Sequence, residues 1–559
     1  MESSSMSLGP DAGQPSPANG QQHPAVASPD RARGGPRAPD LTDEASSQAC
    51  GGEEARGGRK SDRESTWTAQ DLLAALQSDL GEVDLNGCTV DIGRDGLCLT
   101  TGYWTLVNGT IRGGTLALAA GVRNVAFRRV TFAGPGGSAA TRTLKTEAEQ
   151  KEAMRHGVVE VAGARNVSFE ECIFGGDLDD QVARVNADIA RTGEFCTWLP
   201  GLSVHGSSTV RVCKSAICAQ LGPGLYASGR KCRVLVTDRS SFMRNVTGAL
   251  AEDGAVLHLS EVVADTNFES GVSAVGAVLK ARLVLCNDNQ LSGIAVTGGS
   301  TATLDRCVLH NNTMAGLVVE HGGSNVMATG LRCTQICRAA GDDGPLGLAV
   351  GDDATCTLQG GELGVFRACE VRAGGVVTMT DVSVTSPGAK ARAIGPVARD
   401  GGRLCLTRVK IRGVENAFAA LGRGSVVVAE AVECHNVGSG AFAGYKRPAR
   451  GGTAELRDCV FDGCGVALAA DGGGHVRSEN AKIAGCKVCA RAIAEGRVDV
   501  RGGEVWCDAS ATRFTKLEAE GKRAKVTATD VTWTGGGLPD TRVTGGAEVV
   551  VTPCVEAGA

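Results

Sequence analysis

Three acidic residues stand close together near the start of a polar stretch of the chain. Asp177, Asp179 and Asp180 lie in the first turn of the segment GDLDDQVARVNADIARTGEFC. Clustered carboxylates are the ligands that a hard cation such as calcium requires. Acidic residues are also common at the start of a helix, where they meet the positive end of the helix dipole. The cluster is therefore a candidate binding site with calcium as the cation it would hold, and a helix start is the simpler interpretation.

Three cations alternate with apolar residues in the stretch RVKIRG. Successive side chains of a strand point to opposite faces. Arg408, Lys410 and Arg412 would then share the outer face, and Val409 and Ile411 the inner face. Such a stripe can hold a polyuronate, whereas a solvated charged face that discourages aggregation is the simpler interpretation.

The chain contains 22 cysteines, of which several end an apolar run just before a turn. Those predicted to form one buried internal ladder are Cys172, Cys213, Cys286, Cys307, Cys333, Cys434 and Cys459. Cys486 and Cys489 form a lone C-x-x-C pair, preceded by Cys464. A structural zinc needs four ligands, usually from two such pairs, so no zinc site is predicted here and, apart from the candidate calcium, no cofactor.

Acid–base catalysis would need histidines or carboxylates in a defined arrangement. The histidines of the repeat region are scattered, with no H-x-x-x-H pair and no adjacent acidic motif. Glycosidases use two carboxylates at a set separation, and the sequence does not identify such a pair. Catalytic residues are therefore left unassigned.

Composition excludes some classes of protein. A net charge of −5 over 559 residues gives no support to nucleic-acid binding. With only 4% aromatic residues, the core must be built from smaller side chains in thin layers. No apolar run is long enough for a membrane span, and no secretory signal is seen at the start. A cytoplasmic or otherwise intracellular location with reduced cysteines is the resulting expectation.

A short apolar pattern repeats along most of the chain. Its Gly-apolar-x-apolar starts are spaced by 23, 24, 23, 22 and 23 residues. They are Gly201, Gly224, Gly248, Gly271, Gly293 and Gly316. Each unit offers two or three short alternating segments without a helical period, which fits three short strands and three turns. The repeat therefore predicts an all-β solenoid, a parallel β-helix of about seventeen coils.

Two segments precede the repeat. Residues 1–65 are rich in Pro, Gly, Ser and charge, and we expect a disordered tail. Residues 66–83 contain a capping-box pattern, Thr68 with Asp71, followed by leucines at every fourth residue. We predict that this segment forms a helix that caps the first coil of a β-helix domain covering 84–559. An uncovered end of such a stack would expose unpaired backbone groups that can pair with another chain.

The repeat period, the turn glycines, the Asn-rich turns HNN, RNVTG and CHNVGSG, and the capping helix resemble the right-handed parallel β-helix, or pectin lyase-like, superfamily. The resemblance is to its carbohydrate-binding and sugar-hydrolase type of repeat, over about 66–559. It implies a right-handed helix. Calcium-assisted lyases of the superfamily use acidic clusters, and the RVKIRG stripe is similar to the Arg-Ile-Lys element of polygalacturonases. Their paired-Asp and Gly-His-Gly motifs, and the Asp-Pro-His-Glu motif of alginate epimerases, are absent.

Two insertions interrupt the repeat early, at about 135–156 and 175–197, and each is predicted to form a short helix. Functional loops of solenoids tend to lie on one face, so these insertions are the first place to look for a site. Trp198 lies beside the second insertion. Smaller insertions fall at 339–345 and 445–452.

Two functions remain open. The first is a non-catalytic scaffold that binds a protein or a polysaccharide along its faces, which the missing catalytic motifs favour. The alternative is a polysaccharide lyase, hydrolase or epimerase acting on a uronate-containing polymer, which the resemblance favours. A fold hosts many functions, so the site must decide between them. The oligomeric state is not predicted.

We predict that Leu309→Asp unfolds the neighbouring coils, because it places an uncompensated charge in the inner layer, at a cost on the order of 3–5 kcal/mol. Thermal unfolding measures the loss. Val308→Asp, on the opposite face of the same strand, is the matched control and should be tolerated. Equal stability of the two variants would mean that the inward and outward faces are assigned the wrong way round.

Overall fold

The strands of the chain stack into a right-handed parallel β-helix. The computed structural model describes residues 66–78, 81–134, 146–175, 199–334, 344–388, 393–444, 451–506, 516–534 and 540–553. Every pair of neighbouring strands described there is parallel and belongs to successive coils, as in Val272–Val275 beside Ser292–Thr297. The described residues make about 18 turns, which agrees with the predicted fold and with its count of about seventeen.

Sheet 1 is the most regular ladder, with one strand from each coil. In it, inner side chains such as Ile294, Leu317 and Leu348 are fully buried, and outer side chains alternate with them. Its strands are Leu97–Leu99, Leu116–Leu118, Val159–Ala162, Leu202–His205, Leu225–Ser228, Ala249–Glu252, Val272–Val275, Ser292–Thr297, Ala315–Val319, Leu346–Val350, Arg367–Val371, Ile394–Arg399, Asn416–Leu421, Ser439–Gly444, Val466–Ala470, Val488–Ile493, Lys516–Glu520 and Asp540–Thr544.

Sheet 2 follows sheet 1 in each coil, and its inner columns consist mostly of Val, Leu and Ala. Its strands are Glu82–Asp84, Arg165–Glu170, Thr209–Cys213, Arg233–Thr237, Val256–Ser260, Val278–Arg282, Thr301–Asp305, Val376–Thr380, Arg403–Thr407, Val426–Glu430, Thr453–Arg457, His475–Glu479, Arg497–Arg501 and Glu548–Pro553.

Sheet 3 completes the coil with shorter strands. They are Thr66–Thr68, Thr89–Asp91, Ile173–Phe174, Ala216–Cys218, Ser241–Met243, Val263–Asp265, Leu285–Asn287, Val308–His310, Ser383–Thr385, Lys410–Arg412, Glu433–His435, Val460–Asp462, Lys482–Ala484 and Glu504–Trp506. Five long strands run through both sheets 2 and 3, namely Trp104–Arg112, Arg123–Ala133, Asn325–Thr334, Thr355–Gly364 and Lys525–Thr534.

A single left-handed residue makes the bend between sheets 2 and 3 in most coils. The sequence pattern suggested glycine at the corners, but here the residue is often not glycine, as at Leu283 (φ 52) and Arg306 (φ 49). The conformation costs roughly 1–2 kcal/mol for such residues. The coil keeps it because the corner N–H stays in the inter-coil ladder. Leu283 N donates to Asp305 O at 2.9 Å and Arg306 N to Thr329 O at 2.8 Å.

An asparagine ladder fills the corner between sheets 3 and 1 over four successive coils. Asn245, Asn267, Asn289 and Asn312 are at most 1% exposed. The Oδ1 atom of each accepts the backbone N–H of the preceding rung, at 3.0 Å from Asn245 to Asn267 and 3.1 Å from Asn267 to Asn289. The amides thus satisfy buried backbone groups where strand pairing stops.

Cysteines continue this position in later coils. The Cys464 thiol lies 3.8 Å from Cys434 O and the Cys486 thiol 3.6 Å from Phe461 O, the carbonyls that correspond to those the asparagine amides meet. The predicted single cysteine column is wrong, because its members occupy different positions in the coil. Cys307 follows the bend, whereas Cys286 lies in the middle of a sheet 3 strand. The prediction of buried thiols holds for the described members of the set.

Two α-helices are described. Helix α1, Ala69–Gln77, starts with the predicted capping box of Thr68 and Asp71 and buries Leu72 and Leu76 against the first coils. Helix α2, Glu147–Arg155, lies in the first insertion as expected. The second insertion and the tail 1–65 lie outside the described residues. Neither described helix is long and apolar enough to cross a membrane.

We predict that Asn267→Ala destabilises the fold by about 3 kcal/mol, because it leaves buried backbone groups without partners. The Asn267 side chain accepts from Asn245 N and donates to Phe242 O at 3.2 Å and to Asn289 Oδ1 at 2.8 Å. Urea unfolding measures the change. Asn325→Ala, at an exposed position of sheet 2, is the control and should cost well under 1 kcal/mol. Equal losses in both variants would contradict a structural role of the ladder.

Candidate functional site

The predicted acidic site cannot be placed. Asp177, Asp179, Asp180 and Trp198 lie outside the described residues, so the calcium site stays a prediction. Among the residues that are described, no group of three or more His, Cys, Asp and Glu side chains could hold a metal ion.

The basic stripe has the predicted orientation but little free charge. Val409 and Ile411 are fully buried, and Lys410 and Arg412 face outward from the strand Lys410–Arg412. Arg408 lies at the left-handed bend and donates to Asp381 at 2.7 and 2.8 Å. That bond lowers the pKa of Asp381. Lys410 Nζ lies 3.2 Å from Glu433, so two of the three cations are paired with acids on adjacent coils.

The outer face of sheet 1 carries a groove of about 1070 Å³. It runs along the coils from the strand Arg367–Val371 to the strand Val488–Ile493. Its floor consists of the outer residues Val397, Ala419, Phe442 and Ala469, which pair in register on consecutive strands. The register of the coils thus converts residues more than twenty positions apart into one continuous apolar surface.

Ion pairs close the floor at both ends. At one end Glu370, with a side chain only 10% exposed, accepts from Arg367 and lies 3.4 Å from Arg399. At the other end Arg491 donates from Nε to Glu518 at 2.7 Å, and the Glu518 side chain is 12% exposed. Removing one member of such a buried pair would leave an uncompensated charge, so these side chains are held in place.

The smaller insertions noticed in the sequence lie mostly outside the described residues. Gly344, near the end of the first insertion, lines the groove, and Gly444, just before the second, ends a strand of the groove. The groove itself was missed, because its floor residues share no motif and only the register brings them together.

A second group of polar side chains lies on the same face, on the coils that follow the two early insertions. His205 Nε2 lies 3.0 Å from Glu160 Oε1, and His156, which ends helix α2, lies 3.1 Å from Glu160 Oε2. Two coils further on, the Tyr226 hydroxyl donates to Glu252 at 3.2 Å. We call these five residues the polar cluster. Sequence reasoning missed it because Glu160 and His205 are 45 residues apart and adjacent only through the coil register.

Burial and hydrogen bonds oppose each other at Glu160. Burial would raise the pKa of its carboxyl group, but hydrogen bonds from His205 and His156 outweigh that effect, and the pKa lies below its usual value of 4.5. Burial also raises the pKa of the Tyr226 phenol. Ser203 faces outward between Glu160 and Tyr226, is fully buried, and its hydroxyl has no hydrogen-bond partner among the described residues. Apart from His156, whose side chain is 56% exposed, the acid–base groups of the cluster are therefore largely covered.

The two features differ in the chemistry they can perform. The groove is open, mostly apolar on its floor and long, which suits binding of an extended molecule. The polar cluster contains side chains of types that transfer protons, namely two imidazoles, two carboxylates and a phenol. Ser203, which lies between Glu160 and Tyr226 in register, is fully buried and offers no surface to a ligand.

No family model and no curated protein matches the chain. The periplasmic alginate epimerase AlgG has 10% identity and a TM-score of 0.26, with 87% of this chain and 83% of that chain covered. The PL6 family alginate lyase AlyGC has 10% identity and a TM-score of 0.21, with 87% and 99% covered. A GH87 α-1,3-glucanase from Streptomyces thermodiastaticus has 12% identity and a TM-score of 0.20, with 90% and 72% covered. These likenesses are too distant to bear on the activity of this chain.

We predict that Glu160→Gln lowers the melting temperature at pH 7 and lowers it less at pH 3. Because the folded pKa of Glu160 lies below its usual value of 4.5, the ionised carboxylate stabilises the fold above that pH. The contribution is lost as the pH falls through the lowered pKa. Thermal unfolding at both pH values measures it.

The control is Glu170→Gln, which removes an exposed carboxylate 3.5 Å from Arg128 and should change the melting temperature little at either pH. An equal loss for Glu160→Gln at pH 7 and pH 3 would show that its charge does not stabilise the fold.

Proposed function

We propose that the protein is a non-catalytic scaffold that binds a saccharide chain along the groove of sheet 1. The observation that carries the proposal is the continuous floor of Val397, Ala419, Phe442 and Ala469 between two buried Arg–Glu groups. Apolar floors with a few convergent polar groups are typical of ligand sites. The groove differs from a small-molecule pocket in being longer.

The length suits a polymer. Strands of successive coils lie about 4.8 Å apart, so the six sheet 1 strands from Arg367–Val371 to Val488–Ile493 span roughly 24 Å. A chain of several sugar units can lie over that distance with similar surroundings at each coil. A compact ligand would leave most of the floor in water.

The chemistry of the sides suits sugar hydroxyl groups. Asn416 and Ser439 lie next to each other in register on one side of the floor, and the carboxylates of Glu415 and Asp471 line its edges. Amide, hydroxyl and carboxylate groups bond to hydroxyls, while the apolar floor covers the C–H face of a ring.

The carboxylates among the described residues of the groove are poorly placed for hydrolysis. Glu370 and Glu518 are occupied by arginines. Glu415 precedes a strand and Asp471 follows one two coils away, on opposite edges of the sheet. Strand rise and spacing put their Cα atoms about 20 Å apart. Glycosidase carboxyl groups are about 5–9.5 Å apart, so binding without cleavage is the function we propose for the groove.

We predict that the full chain binds oligosaccharides on a glycan array and that Ala469→Trp abolishes the binding, because the indole fills the floor. Isothermal titration with the best array ligand measures the loss, expected to exceed about ten-fold. Thr303→Trp, at an exposed outward position of sheet 2, is the control and should bind as the unaltered protein does. Absence of binding to every saccharide would overturn the proposal.

A second candidate function is supported by the polar cluster. Glu160 with His205 and Tyr226 with Glu252 place acid–base groups on the face that carries the groove. A polysaccharide lyase, hydrolase or epimerase acting on a uronate-containing polymer would use such groups. Unsaturated or shortened products from a polyuronate, lost in His205→Ala, would favour this function over a scaffold.

A further inference from the structure

Phe442 is the only aromatic residue among the four that form the groove floor. Its neighbours in the chain, Ala441 and Ala443, are fully buried and face inward, so the Phe442 side chain faces outward. It is partly exposed, whereas Ala419 and Ala469, which flank it on adjacent coils, are small and buried. The ring therefore stands above a floor of methyl groups and meets any ligand that crosses the centre of the groove.

The edge of the Phe442 ring packs against Gly444. A Cβ atom added at Gly444 would lie 2.9 Å from Cζ and 3.2 Å from Cε1 of Phe442, and 2.9 Å from Asp471 O. Real Cβ contacts are longer, so a side chain there would push the ring aside. Gly444 has no left-handed φ, so its backbone conformation alone does not call for glycine. Glycine is required there because the edge of the Phe442 ring and the Asp471 carbonyl occupy the space of a Cβ atom.

The floor beside the ring is polar on one side and carries no charge, whereas Glu415 and Asp471 line the groove edges on the adjacent coils. Asn416 and Ser439 lie in register at the first outer position of their strands, and the Phe442 strand begins at Ser439. The charged groups of the floor, at Glu370 and Arg491, are three and two coils away from Phe442. The centre of the groove thus combines an aromatic surface with amide and hydroxyl groups and holds no charged floor residue.

We propose that Phe442, seated on Gly444, is the stacking platform for one sugar ring of the bound chain, with Asn416 and Ser439 as hydrogen-bonding partners of its hydroxyl groups. Gly444 is the positioning residue of this subsite. The ring it takes presents an uncharged C–H face to Phe442, because stacking on an aromatic surface buries apolar area. This inference rests on the proposed saccharide-binding function.

The test titrates the full chain with hexasaccharides of glucose, mannose, galacturonate and mannuronate. For those that the unaltered protein binds, we expect Phe442→Ala and Gly444→Ala to weaken binding by about ten-fold, and Phe442→Trp to retain it. Gly364→Ala is the matched glycine control, because an added Cβ there meets nothing closer than 3.5 Å. Melting temperatures of all variants show whether each one folds.

A spectroscopic readout separates stacking from a structural effect. The fluorescence of Phe442→Trp, relative to the unaltered protein, should shift to shorter wavelength when the saccharide covers the indole. Adding Gly444→Ala to that variant should remove the shift. If Ala469→Trp blocks binding but Phe442→Ala leaves the affinity unchanged, the inference about Phe442 is overturned and the proposed function stands. No binding of any hexasaccharide would overturn both.

Discussion

The parallel backbone ladder between successive coils is the constraint on which the rest of the structure depends. Each strand must lie in register above its predecessor, so each coil must bend at the same three places. The chain accepts left-handed residues such as Leu283 and Arg306 at the bend because their N–H groups then remain in the ladder. Where strand pairing stops, the side chains of Asn267, Asn289 and Asn312 accept the backbone N–H groups of the preceding coil instead.

This constraint also decides where function can lie. The interruptions of the repeat fall in the chain between described strands, just before or just after a strand of sheet 1. The inner side chains of each strand are buried in the core, so only outward-facing side chains can contact a ligand. On sheet 1 the outer column changes from the polar residues Glu160, Ser203 and Tyr226 to the apolar residues Val397, Ala419 and Phe442. One face thus carries two surfaces of different chemistry.

Much of the fold could be predicted from local patterns. The alternation around Cys307 and Leu309, the capping box of Thr68 and the repeat period each depend on residues that are close in the chain. The candidate sites depend on register instead. Glu160 meets His205 and Val397 meets Ala419 only because the intervening coil has a particular length. The prediction of a single cysteine column was wrong for the same reason, because cysteines with similar neighbours in the sequence occupy different positions in the coil.

Side-chain oxidation by hydroxyl radicals tests most directly whether the groove is the ligand surface. We expect a bound saccharide to lower the oxidation of Phe442 and to leave Met327, which is 59% exposed on sheet 2, unchanged. Protection of Met327 or of the polar cluster, with Phe442 oxidised as before, would contradict the account.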